Sequence, residues 1–232
     1  MASEVENIVE RYRRREGATV ADRYHVLAPA VYMSMQERER AFIGWIREAG
    51  IGALGERRVL DVGCGNGSDL LLFLRLGVRP ENLFGIELLA PRASSARERL
   101  PAAARIEQGD ASSIELLESS FDVVLQSTVF SSILDGPFRR TLAERMWRLV
   151  KPGGGVLSYD FVYDNPRNAD VRGVTVREIR ALFPSGTLSH QRLTLAPPIA
   201  RLVTRAHPDL YSLFNLVPFL RTHALCYIRK PA

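Results

Sequence analysis

The sequence predicts an α/β fold: a doubly wound sheet of seven strands, covered by helices on both faces and preceded by a helical cap. Three observations carry this. From Arg57 onward, short apolar runs alternate with amphipathic stretches, the pattern of strands joined by crossover helices. The runs Phe121-Asp122-Val123-Val124-Leu125 and Val156-Leu157 suit strands buried on both faces. The stretch Arg58-Val59-Leu60-Asp61-Val62-Gly63-Cys64-Gly65-Asn66-Gly67 passes from an apolar run through an acid into a glycine-rich turn. An amphipathic segment follows it over 69–76, so the local order is strand, tight loop, helix.

The elements follow in order. Residues 1–52 read as helical and are expected to form a cap over the mouth of the main domain, which occupies 53–232. In the cap, Val5, Ile8, Val9 and Tyr12 recur at helical spacing. Gly17 breaks the pattern, and the segment 22–27 ends at Pro29. A longer helix is expected over 31–49 with Met35, Phe42, Trp45 and Ile46 on its buried side, closed by Gly50 and Gly52. Strands are expected at 58–62, 83–87, 104–108, 121–126, 155–161, 187–195 and 223–229. Helices are expected after the loop to Leu76, over 90–100, over 137–150, and from the capping box Thr175-x-x-Glu178 to Phe183. Lys151-Pro152-Gly153-Gly154 reads as a turn. Residues 196–222 are long for a plain connection. They hold two apolar helical patterns, 199–205 and 210–216, separated by His207-Pro208, and suit either a second lid element or a dimer surface.

Composition bounds the function. At 232 residues with 46% hydrophobic and 25% charged content, the chain can bury a core of its own without staples. The net charge is +5, and Lys151 and Lys230 are the only lysines among 31 basic residues. The arginines are scattered, apart from Arg13-Arg14-Arg15, which argues against a nucleic-acid face while leaving a mildly basic field for an anionic substrate. Cys64 and Cys226 make neither a disulfide framework nor a metal site and fit a reducing cytoplasm. Glu4, Glu6 and Glu10 precede any apolar run, so no signal peptide is expected, and no stretch is long and apolar enough for a membrane span.

In an open α/β sheet a ligand sits beyond the carboxyl ends of the strands, where the strand order reverses. Here those ends carry Asp61 with the glycine loop, Glu87, Asp110, the segment Gln126 to Thr128, and Asp160. Acids at successive strand ends are costly to bury without partners, so they point to a ligand. Glu87, twenty residues after Gly67, can accept from both hydroxyls of a ribose. Asp110, in Gln108-Gly109-Asp110-Ala111, can accept from an adenine amino group while Ala111 offers its N–H. The ligand is therefore expected to be a nucleoside. A dinucleotide fits poorly: the loop reads Gly63-x-Gly65-x-Gly67, one residue short of the dinucleotide fingerprint. Asp61 would also repel a pyrophosphate, whereas it suits an ammonium or sulfonium group.

These residues resemble a family. Val59 to Gly67 is similar to the first motif of class I S-adenosylmethionine-dependent methyltransferases, Glu87 to their ribose acid, and Gly109-Asp110-Ala111 to their adenine motif. Phe121-Asp122-Val123-Val124 resembles their fourth strand, and 149–154 the turn before the fifth. The likeness is greatest to the UbiE-like, small-molecule branch. It implies a Rossmann-like domain with strand order 3-2-1-4-5-7-6, strand 7 antiparallel, and S-adenosyl-L-methionine as cofactor. It also implies a cofactor set of Asp61, Gly63, Cys64, Gly65, Asn66, Gly67, Glu87, Leu88, Asp110, Ala111, Gln126 and Ser127.

The implied chemistry is methyl transfer to a small-molecule or sugar-like acceptor, at oxygen before nitrogen. The alternatives are an RNA methyltransferase and a catalytically silent S-adenosylmethionine-binding module. Two family features are missing after strand 4: the segment 126–133 holds no His, and no Asn-Pro-Pro-Tyr motif follows. Candidates for a general base are then His25 in the cap, Asp160 at the end of strand 5, and His223 opening strand 7. Tyr24, Tyr159, Phe161 and Tyr163 could line an acceptor pocket, and a homodimer is possible. No metal is expected, since His190 and His207 lack ligand spacing to Cys or acids. A divalent ion would have to draw on Asp135, Asp160, Asp164 and Asn165.

Overall fold

The computed structural model describes residues 3–15, 25–165 and 168–232. Its centre is a seven-stranded sheet: β1 (Val59–Val62), β2 (Leu83–Glu87), β3 (Arg105–Gln108), β4 (Phe121–Ser127), β5 (Val150–Phe161), β6 (Thr187–Leu195) and β7 (Arg221–Arg229). The strand order is β3-β2-β1-β4-β5-β7-β6. Strands β1 to β5 pair in parallel, and β7 runs antiparallel to both β5 and β6. This is the order and direction that the motifs imply.

The helices are α1 (Glu4–Arg15), α2 (Pro29–Glu48), α3 (Ser68–Arg75), α4 (Ala90–Arg99), α5 (Val129–Ser132), α6 (Gly136–Leu149), α7 (Val176–Leu182), α8 (Pro197–Ala206) and α9 (Leu210–Asn215). The pleat divides the strand side chains between two layers. On one face Leu60, Val62, Val124 and Val156 pack with Leu142 and Met146 of α6 and Ile179 of α7. On the other, Val59, Val123, Leu125 and Leu157 pack with Phe42 and Trp45 of α2, Leu72 and Phe73 of α3, and Ala93 and Ala96 of α4. The helix α2 is thus a covering helix of the sheet along its C-terminal half.

Several boundaries differ from the sequence pattern for identifiable reasons. Pro29 opens α2, where its missing N–H costs nothing, and the expected segment 22–27 lies in part outside the described residues. Met35 is half-buried, because the turn of α2 that meets the sheet begins near Phe42. The expected turn at 151–154 is the irregular start of β5. Val150 pairs with Phe121, the register then shifts, and Gly155 pairs with Val123. Lys151 Nζ donates to Asp122 Oδ2 at 2.8 Å across this shift. The capping box is formed, with the Glu178 N–H donating to Thr175 Oγ1 and the Thr175 N–H to Glu178 Oε2. Residues 196–222 carry α8 and α9, divided at His207 as expected.

Candidate functional site

Strand β1 lies between β2 and β4, so the carboxyl ends of the three strands open onto one cleft. The loop leaving β1 is shaped by two glycines. Gly63 has φ +71°, and a Cβ there would stand 2.5 Å from Val129 Cγ2. Gly65 has φ +55°, and no described atom lies within 4 Å of where its Cβ would be. The first glycine lets β1 and the start of α5 pack closely; the second leaves bare backbone facing open space, which a ligand can approach. The N–H groups of Gly63 and Cys64 donate to Ile86 O at 2.8 and 3.0 Å and tie the loop to β2.

Glu87 closes β2 and is buried. Its Oε2 accepts from the Gly65 N–H at 2.8 Å and its Oε1 from the Leu89 N–H at 2.9 Å. Each oxygen keeps a further lone pair. Asp110, past β3, accepts from the Ser112 N–H at 2.9 Å and from Ser112 Oγ at 2.7 Å, which fixes its carboxylate at the cleft wall. Asp61 is 2% exposed, and its Oδ1 has no hydrogen-bond partner among the described residues. Burial pushes the Asp61 carboxyl well above the ordinary carboxylate value. Asp69 pushes the same way, Arg38 pulls it back, and Glu87 adds to the rise.

Arg38 of α2 is a site residue that the motifs do not announce. Its Nη2 donates to Asp69 Oδ1 at 2.6 Å and its Nη1 to Ser127 Oγ at 3.0 Å, so it joins the cap to α3 and to the end of β4. Its guanidinium carbon lies 5.8 Å from the Phe42 ring centroid and 5.4 Å from that of Tyr159. A signal was present: Arg38 stands four residues before Phe42 and seven before Trp45, on the buried stripe of a helix. A charge on such a stripe has to meet a partner.

The cleft has a volume of about 250 Å³, and Asp61, Gly63, Cys64, Gly65, Glu87, Leu88, Asp110, Ala111 and Ser127 of the expected set line it. It is also lined by Arg38, Asp69 and Arg92, and by Val5, Ile8 and Tyr12 of α1. Helix α1 is held there by polar contacts to the turn after α5: Arg11 Nη2 to Ser132 O at 3.1 Å, Tyr12 Oη with Ser132 Oγ at 3.1 Å, and the Leu134 N–H to Glu4 Oε1 at 2.9 Å.

Other expected residues do not line the cleft, each for a visible reason. Asn66 is exposed on the outer side of the loop, where its Oδ1 accepts from Ser68 Oγ; Gly67 lies beneath Leu100. Gln126 and Asp160 are buried in a knot on the α6 face. Gln126 Nε2 donates to Asp160 Oδ2 at 2.5 Å, the Ser131 N–H donates to Asp160 Oδ1 at 3.1 Å, and Gln126 Oε1 accepts from the Val129 N–H at 2.9 Å. Burial is the main cause pushing the Asp160 carboxyl up to about 6, against the pull of these hydrogen bonds. Tyr159 is buried with its hydroxyl 2.7 Å from Thr194 Oγ1 and its ring stacked 4.9 Å from His223; Phe161 meets the same imidazole edge-on. Burial, with Arg38 and Arg192 nearby, pushes His223 down to about 4. His25 is exposed and its Nδ1 accepts from the Leu27 N–H. Tyr24 lies outside the described residues.

Comparison with known proteins agrees with this arrangement. The family model described as "Methyltransferase domain" matches residues 59–154. An uncharacterized methyltransferase of Mycobacterium tuberculosis is 35% identical over 116 residues, 50% of this chain; the match spans 56% of that relative's length. A ubiquinone biosynthesis O-methyltransferase of Dechloromonas aromatica is 30% identical over 169 residues, which cover 71% of this chain and 69% of that protein. The chain belongs to the class I S-adenosylmethionine-dependent methyltransferases. Its fold is similar to that of the 1,6-didemethyltoxoflavin-N1-methyltransferase of Burkholderia thailandensis, solved with bound 1,6-didemethyltoxoflavin and S-adenosylhomocysteine. The TM-score is 0.65 at 19% identity, covering all of this chain and 92% of the other.

The methyltransferase cofactor, S-adenosylmethionine, carries a sulfonium, an ammonium, a carboxylate, a ribose and an adenine. Three observations fit that donor and acceptor set. Asp61 Oδ1 is buried and meets no donor among the described residues, a lack that a cation would fill. The backbone at Gly65 faces open space. Glu87 and Asp110 are held at the wall by backbone and hydroxyl donors with acceptor capacity left over.

Proposed function

We propose that the chain is a methyltransferase acting on a small-molecule acceptor, with a hydroxyl as the acceptor group. The observation that carries the reading is buried Asp61, whose Oδ1 has no hydrogen-bond partner among the described residues, in the wall of a cleft that Glu87 and Asp110 also line. When bound, S-adenosylmethionine supplies an electrophilic methyl group, so the work left to the chain is positioning and exclusion of water. Asp61 would hold the cationic end. Glu87 would use its free lone pairs for the ribose hydroxyls, Asp110 would accept from the adenine amino group, and the Ala111 N–H would donate to the ring. Leu88 would offer an apolar contact to the base. Arg38, which lines the cleft, would be the cation for the methionine carboxylate.

The acceptor side is formed from α1. Val5, Ile8 and Tyr12 make an apolar and aromatic wall, with Arg92 stacked 4.5 Å from the Tyr12 ring. An acceptor with an apolar body suits this wall. The name of the Dechloromonas relative supports oxygen as the methylated atom. Neither His25 nor the knotted Asp160 lines the cleft, so this reading gives neither of them the role of base.

Calorimetry with S-adenosylmethionine and with NAD tests the cofactor, and transfer of labelled methyl to a panel of phenols, sugars and RNA tests the acceptor. We expect binding of the first cofactor, none of the second, and label on a small hydroxyl acceptor. NAD binding alone sinks the reading. Label on RNA alone moves it to a nucleic-acid enzyme, and tight binding without turnover moves it to a binding module.

A further inference from the structure

Residues 196–220, between β6 and β7, present their side chains in an unusual sense. Three polar side chains of the segment turn inward while Arg201, Arg205, His207, Asp209 and Ser212 stay exposed. Tyr211 is buried and its hydroxyl donates to Glu37 Oε2 at 2.6 Å, Asn215 Nδ2 donates to Glu37 Oε1 at 2.6 Å, and Thr204 Oγ1 donates to Ala200 O at 2.7 Å. Val203 packs inward with Ile199, Leu210 and Leu220, but other large apolar groups turn outward: Leu202 is 67% exposed, Leu213 58%, Leu216 69% and Phe219 76%. With Phe214, five of the thirteen large apolar side chains exposed among the described residues fall in this stretch, so the exposure is concentrated and not the scattered kind that any surface shows. The frame is anchored. Ala200 and Val203 of α8 pack on Ala30 of α2, and Arg221 Nε donates to Asn215 O at 2.7 Å. Beside Ala30, at the entry to α2, Leu27 is 81% exposed and extends the same apolar character.

Charge decides what covers this surface. The outward side of α8 reads Arg201-Leu202-x-x-Arg205, an exposed leucine between two exposed arginines. The lone acid of the segment, Asp209, stands 3.6 Å from His207. We propose that this face docks on an anionic lipid surface, with the leucines and Phe219 entering the acyl boundary and Arg201 and Arg205 meeting phosphates. A second copy of the chain fits less well. A two-fold interface sets the same patch against itself, so an arginine near its axis meets its own copy, and Asp209 is the one acid of the segment to answer it. No helix of the described residues is long and apolar enough to cross a membrane, which agrees with docking on the surface. The docked face is one helix from the cleft: α2 carries Ala30 at one end of this packing and Arg38 on Asp69 and Ser127.

The test is co-sedimentation of the full chain with phosphatidylcholine vesicles and with vesicles that also contain phosphatidylglycerol. We expect pelleting with the mixed vesicles, weakened by salt. The double variant Leu216→Ser/Phe219→Ser lowers the partition about tenfold with far-ultraviolet circular dichroism unchanged. Arg201→Gln/Arg205→Gln removes the preference for anionic vesicles. Wild-type protein that ignores both vesicles overturns the proposal, as does binding that neither variant alters. Light scattering that reports a dimer, converted to monomer by Leu216→Ser/Phe219→Ser, assigns the face to a second copy and also overturns it. None of these readouts depends on methyl transfer, so the outcome is separate from the fate of the proposed activity.

Discussion

Asp61 and Asp160 invite comparison, because both are buried acids near the carboxyl ends of strands that pair in parallel with β4, one before the glycine loop and one without it. Each follows an apolar run near the carboxyl end of a strand, each is 2% exposed, and burial raises the carboxyl of each. Their surroundings are opposite. Asp160 accepts from Gln126 Nε2, from the Ser131 N–H and from Ser158 Oγ at 3.3 Å, so its oxygens are answered within the protein. Asp61 Oδ1 answers nothing among the described residues. The difference comes from the pleat. Asp61 shares a row with Leu125 and Leu157, on the face of α2 and α3; Val62, Gln126 and Ser158 form the adjacent row, and Asp160, two residues past Ser158, points with them toward α6 and α7. A buried acid with its donors in place serves the fold. We propose that the buried acid without them is answered by the cofactor.

The largest effect expected from this contrast is on stability. Asp160→Ala strands the Ser131 N and Ser158 Oγ donors and leaves Gln126 Nε2 only its bond to Ser158 Oγ, and at about 1 kcal/mol each the loss is about 2 to 3 kcal/mol below about pH 4. The loss then shrinks as pH rises. The unfolded chain releases this proton near 3.8 and the folded chain near 6. Between those values the folded wild type holds more protons, so its stability falls as pH rises, by about 2 to 3 kcal/mol in all at about 1.4 kcal/mol per pH unit. The variant lacks that decline. Denaturant midpoints of both proteins from pH 4 to 8 measure it, and parallel curves would show that Asp160 titrates normally. Cofactor affinity of Asp160→Ala should stay within about threefold of wild type, about 0.6 kcal/mol; a larger loss would make Asp160 part of the site.

Asp61→Ala inverts the pattern. Affinity for S-adenosylmethionine should fall at least roughly tenfold, or about 1.4 kcal/mol, while the denaturant midpoint holds or rises, because a buried carboxylate with a bare oxygen has been removed. Calorimetry and denaturation on one preparation read both. Unchanged affinity would mean that the bare oxygen does not meet the cofactor.

The same pair shows how much of the site was legible. The loop at Gly63 and Gly65, Glu87 and Asp110 could be read because each is fixed within a few residues of its own strand end, and local sequence carries that information. Asp160 could not be assigned a face, since its direction depends on the pairing of β4 with β5, and that register shifts between Phe121 and Val123. Arg38 was missed because its role needs α2 to lie across α3 and β4, a tertiary fact. Its place on the stripe of Phe42 and Trp45 was a clue, though a charge there can equally reach past the rim to solvent. The strand order followed from the motifs, whereas residues 196–222 revealed helices by pattern but not which faces they expose.

Glu87 stands between the two aspartates and gives the smallest and finest test. Two backbone N–H groups already occupy it, from Gly65 and Leu89, and it still lines the cleft. Glu87→Gln keeps the shape but turns one oxygen into an NH₂ that faces a donor, so either the Gly65 or the Leu89 hydrogen bond is lost. The cost to stability should be about 1 kcal/mol. If the remaining lone pairs take ribose hydroxyls, binding of S-adenosylhomocysteine should fall threefold to tenfold, about 1 kcal/mol. Wild-type protein should also discriminate against the 2′-deoxy analogue more strongly than the variant does. The ratio of the two affinities isolates the ribose contact from general loosening of the loop, because loosening weakens both ligands alike. Equal discrimination by wild type and variant would assign Glu87 to the same class as Asp160, an acid that organises the loop and touches no ligand.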